Sequence, residues 1–131
     1  MKFYEFTNDL KGIRAQCDIG LTCSKAEALG RVTIENMLSS LLVIAGRSAG
    51  SEEVVKDKQT GLFYETGSYT SLSEAIVNAI KEPELSNNIV KAGHEEAKLL
   101  YDNKKYGKDI IEVYDQLMKS KSEGTMNKHE Y

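Results

Sequence analysis

The sequence predicts an α/β fold: a parallel sheet of about four strands with helices on its faces and two extra helices at the C-terminal end. Two observations predict it. Short apolar runs, of the length and β-branched content of strands buried on both faces, recur along the chain. Between them lie segments whose apolar residues repeat with helical spacing. Alternation of this kind places parallel strands side by side with the crossover helices packed over them.

In order, Phe3 to Phe6 is an aromatic run with strand character. Thr7 or Asn8 caps a helix in which Leu10, Ile13 and Cys17 share one side, and Asp18 closes this first unit. Ile19 to Cys23 is a short strand expected to be buried on both faces. A loop carrying Glu27 follows, and Gly30 opens a helix whose Ile34, Met37, Leu38 and Leu41 form an apolar stripe at i, i+3, i+4 and i+7. Ser39 and Ser40 end it. Leu41 to Ala45, the most hydrophobic stretch in the chain, is a central parallel strand stopped by Gly46.

Ser51 is the expected cap of the next short helix, with Glu52 and Glu53 against the positive end of its dipole. Lys56 to Gln59 is a polar turn, and Thr60 to Tyr64 the last strand. Ser71 and Glu74 are spaced as a capping box for a helix buried through Leu72, Ala75, Ile76, Ala79 and Ile80. Pro83 separates it from a helix through Leu85, Ile89 and Leu100 that breaks near Gly107. A closing helix carries Ile110, Ile111, Val113, Tyr114, Leu117 and Met118. Residues 1–120 form one domain in this reading, and residues 121–131 a frayed tail.

Composition narrows the function. The chain has 131 residues, 40% hydrophobic and 28% charged, with a formal charge of −3, which suits a soluble globular domain and not a nucleic-acid partner, whose phosphates need a basic face. No apolar run approaches the ~20 residues of a membrane span. The lysines at 104, 105, 108, 119 and 121 read as a solvated helix face, with contact to anionic headgroups the alternative. The start of the chain lacks the apolar core and cleavage site of a signal peptide, so a cytoplasmic location is expected, peripheral to the inner face of the membrane if those lysines touch it. Cys17 and Cys23 have no partner set that would make a zinc site, and both read as small core residues.

The stretch from Ser24 to Met37 carries the chemistry. Glu27 lies on a strand-to-helix loop, where open α/β sheets bind ligands, and Glu35 lies on the helix, off its buried stripe. The plain alternative for Glu35 is a surface ion pair with Arg31 at i, i+4, worth ~0.3 to 0.5 kcal/mol. For Glu27 it is charge complementing the helix dipole.

The segment from Asp18 to Met37 resembles the donor-binding motif of the family-4 retaining glycosyltransferases of GT-B fold. Leu42 to Ala45, Ala49 to Val55, Thr60 to Phe63 and Leu72 to Ile76 follow that family's order and spacing, and nearly the whole chain is covered. The resemblance implies a partial Rossmann-like domain, the C-terminal donor half, without the first two strands of that half and without the acceptor-binding N-terminal domain. It implies that Glu27, with Ala28, Leu29 and Gly30, holds the donor sugar and that Glu35 accepts hydrogen bonds from the ribose. The diphosphate falls at Gly30, Arg31 and Val32, where the helix N-terminus presents free N–H groups. From Gly30 to Glu35 a helix rises about 7 to 8 Å, enough to address the two ends of a nucleotide diphosphate-sugar.

On this resemblance the donor is a UDP- or GDP-sugar, with no metal or other cofactor expected, and a hexose-type sugar passes to an acceptor held elsewhere, such as an acceptor-domain protein. Two departures stand out. Ala28-Leu29 replaces the family's frequent Gly-Phe, and the basic residues that grip the diphosphate belong to the missing strands, leaving Arg31 or Arg47. A non-catalytic fragment or binding and assembly module is the alternative. With two strands absent, Phe3 to Phe6 is expected to pair beside Ile19 to Cys23, or two chains to pair at that edge as a homo-oligomer.

Overall fold

The computed structural model describes residues 3, 5–26, 30–101, 111, 112 and 116. The chain divides into two compact units, Met1–Lys98 and Leu99–Tyr131. The first contains the sheet and its flanking helices, in the order α1 (Leu10–Arg14), β1 (Ile19–Thr22), α2 (Arg31–Leu38), β2 (Leu42–Gly46), α3 (Ala49–Val54), β3 (Leu62–Tyr64), α4 (Tyr69–Lys81) and α5 (Pro83–Leu100), the last running to the start of the second unit. In the second unit, Ile111, Glu112 and Gln116 are helical. The remaining residues of the expected closing helix, the lysine cluster, Gly107 and the tail lie outside the described residues.

Among the described residues the sheet has three strands, all parallel, in the order β1-β2-β3. β2 is the middle strand and every residue of it is buried, as a parallel strand covered on both faces must be. Of the expected fourth strand, the described residues Phe3, Glu5 and Phe6 are not part of that sheet. Phe3 and Phe6 stand 86% and 94% exposed, and β1 is left as an edge with Leu21 exposed. The expectation of a doubly buried β1 therefore holds for Gly20 and Thr22, while Ile19 is half-buried and Leu21 exposed.

Two layers cover the sheet. On one face Met37, buried to 1%, and Ile34 and Leu41 pack from α2 and its exit. Full burial of such side chains is worth about 1.5–3 kcal/mol each. Leu38, which the periodicity assigns to the same stripe, is 41% exposed at the last residue of the helix. On the other face Leu42, Ile44 and Tyr64 form one cluster with Ala79 of α4 and Ile89 of α5, and Ile19, Leu62, Leu72, Ala75, Ile76 and Val90 pack against it. Ile80 of the expected stripe is 66% exposed.

The starts of α3 and α4 fall three residues before the expected ones. Ser48 caps α3, and the Ser51 hydroxyl reaches back to its backbone N–H at 2.9 Å in a reciprocal capping box. Ser68 caps α4 by accepting from the Ser71 N–H, while the Ser71 hydroxyl accepts from the Glu65 N–H at 3.0 Å. Asp9, not Thr7 or Asn8, caps α1 through a 2.9 Å bond from the Gly12 N–H. Pro83 opens α5, a position where its missing N–H costs nothing. Midway along α5, Gly93 brings the helix backbone against the Thr60 carbonyl, where an added Cβ would stand 2.5 Å from the oxygen.

Candidate functional site

Open parallel sheets bind ligands beyond the carboxyl ends of their strands. Here that end is formed by Cys23 after β1, Gly46 at the end of β2, and Tyr64 at the end of β3, in register with Gly46. Gly46 has no side chain, and the Tyr64 hydroxyl lies 3.2 Å from where its Cβ would be. The Tyr64 phenol thereby reaches past β2 to hydrogen-bond Cys23. Burial first, and then that bond and the charge of the Cys23 side chain when ionised, raise the Tyr64 pKa above its ordinary 10.0, so the phenol stays neutral at physiological pH. Both cysteines are exposed. Their expected place in the core is therefore a misreading: Cys17 lies before β1 and Cys23 just after it, both beyond the packed part of the strand.

Gly30 is the N-cap of α2, with φ +63°, and makes no side-chain cap. The Ile34 N–H is the first to bond back, to the Gly30 carbonyl at 3.0 Å. The N–H groups of Arg31, Val32 and Thr33 precede that first bond, as at every helix start. A non-glycine N-cap of the usual kind would offer an oxygen to one of them. Gly30 offers none, and the three stand at the positive end of the helix dipole, where an anion is favoured. The side chains of Arg31 and Val32 are exposed, and Arg31 pairs with no described carboxylate.

Three contacts fix that helix end. A Cβ on Gly30 would lie 3.1 Å from Val54 Cγ2 and 3.3 Å from the Gly50 carbonyl oxygen, so the α2 start rests directly on α3. Thr33, fully buried, shares a 3.1 Å hydrogen bond with the Thr22 hydroxyl of β1. Gly20 leaves room for Asn36, whose amide nitrogen would otherwise stand 2.6 Å from its Cβ. The helix periodicity, read for apolar residues, passes over Thr33 and Asn36. Their burial is legible only once the hydroxyl of Thr22 and the absent side chain of Gly20 are seen opposite them.

Glu35 lies beyond this turn, its side chain 39% exposed. It does not pair with Arg31. Arg14 of α1 donates from Nη2 to Glu35 Oε2 at 2.6 Å and from Nε to Asn36 Oδ1 at 3.2 Å. The i, i+4 alternative fails because Arg31 sits on the exposed first turn, while α1 delivers a better-buried guanidinium, 19% exposed, to the same carboxylate. The other arginine considered for the diphosphate, Arg47, is engaged elsewhere. It bonds Glu52 at 3.0 Å and Asp57 at 3.2 Å and lies 4.5 Å from the centre of the Phe63 ring.

Glu27, Ala28 and Leu29 lie outside the described residues. Of the expected site, the structure brings together Gly30, Arg31, Val32 and Glu35 on α2. No cluster of three or more metal-binding side chains occurs among the described residues, and no described helix is long and apolar enough to cross a membrane.

A parallel βαβ layer with a glycine-opened helix beyond the carboxyl ends of its strands is the layout of open, doubly wound α/β domains. Residues 1–96 match the model of the glycosyl transferases group 1 family, and the chain belongs to that family, as a C-terminal, Rossmann-like part of a GT-B glycosyltransferase. A lipopolysaccharide core biosynthesis glycosyltransferase, LpsE of Rhizobium meliloti, is 25% identical over 72% of this chain and 28% of its own length. HepE of Anabaena, solved with UDP and glucose, superposes with a TM-score of 0.84 at 26% identity, covering 88% of this chain and 32% of HepE. The C-terminal domain of LpcC from Francisella tularensis shares the fold, with a TM-score of 0.70 at 22% identity over 79% of this chain and 53% of that one. The chain spans under a third of the length of the curated relatives it matches.

Proposed function

We propose that this chain is the nucleotide-sugar donor-binding part of a retaining glycosyltransferase, taking a UDP- or GDP-hexose whose sugar goes to an acceptor held by another domain or chain. The observation that carries the reading is the uncapped start of α2 at Gly30, with Glu35 a little over one turn further on. The N–H groups of the first turn donate to the diphosphate, with the exposed Arg31 beside them. Glu35 accepts hydrogen bonds from the ribose hydroxyls, and the loop of Glu27, Ala28 and Leu29 holds the sugar. The UDP complexes of HepE, similar in fold and at 25–26% identity, support the same class of ligand.

Transfer on this reading relies on stabilising the negative charge of the leaving diphosphate by fixed dipoles and Arg31, without a metal ion and without a protein nucleophile. The acceptor groups lie outside this chain. Calorimetric titration with UDP, GDP and their sugars tests the reading. Glu35→Ala removes a charged hydrogen-bonding group and should weaken nucleotide binding by roughly tenfold to a hundredfold. Absence of binding to every nucleotide sugar tried would overturn the proposal in favour of a non-catalytic assembly module.

A further inference from the structure

We propose that Arg14 is a positioning residue for the ribose-binding carboxylate: α1 holds Glu35 in the rotamer that faces the nucleotide. This rests on the assignment of Glu35 to the ribose. The geometry is specific to a planar guanidinium. Nη2 donates to Glu35 Oε2 at 2.6 Å while Nε donates to Asn36 Oδ1 at 3.2 Å, so two edges of one fork are fixed on adjacent residues of α2. A lysine has no second donor in that plane.

Asn36 is itself held. It is 6% exposed and lies against Gly20 of β1, where no Cβ would fit. The guanidinium is therefore anchored to the sheet through Asn36 and passes that placement to Glu35. Arg14 is 19% exposed and Glu35 39%, which puts the cation on the inner side of the pair and the carboxylate on the outer. A carboxylate has two oxygens and about four acceptor positions. With Oε2 engaged by Arg14, Oε1 is left for two neighbouring hydroxyls, the arrangement a ribose diol presents.

Without Arg14 the Glu35 side chain would have to be ordered by the ligand. Immobilising one such side chain on binding lowers affinity by about three- to tenfold. That loss should appear only with a ligand that contacts Glu35. A purely structural contribution of Arg14, or a general attraction of its charge for phosphate, would act on any nucleotide diphosphate alike.

The experiment titrates the 131-residue chain with UDP or GDP, whichever the wild type binds, and with the 2′,3′-dideoxy form of the same nucleotide. Arg14→Met is expected to weaken the ribonucleotide by about three- to tenfold and to leave the dideoxy form unchanged. In combination with Glu35→Ala it should add nothing further, since the group it positions is gone. Arg14→Lys, which keeps the charge and loses the fork, should fall between wild type and Arg14→Met. It carries the same two-ligand comparison where thermal melting shows Arg14→Met to be unfolded. Equal losses for the two ligands, or additive losses in the double variant, would overturn the positioning role alone. A wild-type chain that binds neither UDP nor GDP would overturn the donor-site reading and this inference with it.

Discussion

Replacing Gly30 by alanine separates backbone strain from contact at the start of α2. Gly30 has φ +63°, and alanine in that left-handed region costs about 1–2 kcal/mol. A Cβ there would also meet Val54 Cγ2 at 3.1 Å, which can yield, and the Gly50 carbonyl oxygen at 3.3 Å, which is held in α3. Gly67 supplies the internal comparison, because its φ is +88° and nothing lies within 4 Å of an added Cβ. Gly67→Ala therefore reports strain with no contact, and Gly30→Ala reports strain together with crowding. Urea titration should show both destabilised, Gly67→Ala by about 1 kcal/mol and Gly30→Ala by about 2 kcal/mol, with the denaturant slope unchanged. Nucleotide affinity should fall in Gly30→Ala and stay at the wild-type value in Gly67→Ala. A Gly30→Ala chain as stable as wild type, or less affected than Gly67→Ala, would refute the account of this helix start.

Three further outcomes follow from the packing. Gly93→Ala sets a gain of about 1 kcal/mol in helix propensity against overpacking of about 1–3 kcal/mol. With the new Cβ 2.5 Å from the Thr60 carbonyl oxygen, overpacking wins, and thermal melting should show a net loss. Thr33→Val leaves the buried Thr22 hydroxyl without its partner at 3.1 Å and should cost about 1–3 kcal/mol, whereas valine at both positions should come closer to wild type, as chemical denaturation of the three variants would reveal. For Tyr64, the folded pKa is raised above the ordinary 10.0, so the contribution of the neutral phenol is fully present below pH 10. It is lost as pH rises through the raised value, where the folded state holds a proton that the unfolded state has released. The stability difference between wild type and Tyr64→Phe should shrink above pH 10 and be flat below it.

The parts of the fold that are legible in the sequence are those whose cause is local. β2 is an uninterrupted branched run, and the alternation of such runs with helical spacing gives the parallel sheet. The caps were offset for a physical reason. Ser48 and Ser51, like Ser68 and Ser71, stand three apart; the first pair bonds reciprocally as a capping box, and in the second the Ser71 hydroxyl bonds the Glu65 N–H instead. Either serine of such a pair can therefore be read as the cap. What local reasoning missed depends on partners distant in sequence: Arg14 for Glu35, Thr22 for Thr33, and the missing side chain of Gly20 for Asn36. Gly30 was legible because its role is a backbone conformation that few residues tolerate. The outward position of Cys23 was not, since a small apolar residue just past a strand end differs from a core residue only in where the strand stops.

β2 is shared. It completes the β1-α2-β2 crossover and begins the β2-α3-β3 crossover, and α2 starts against α3 at Gly30. The two crossovers therefore cannot melt independently, and stabilisation applied to one is felt by the other. A ligand seated at the α2 N-terminus stabilises the folded state by RT ln(1 + [L]/Kd). The amides of β3, on the far side of the sheet from β1, should gain protection from solvent exchange alongside those of α2. Occupancy at one edge of the sheet is in this way readable as slowed proton exchange at the other.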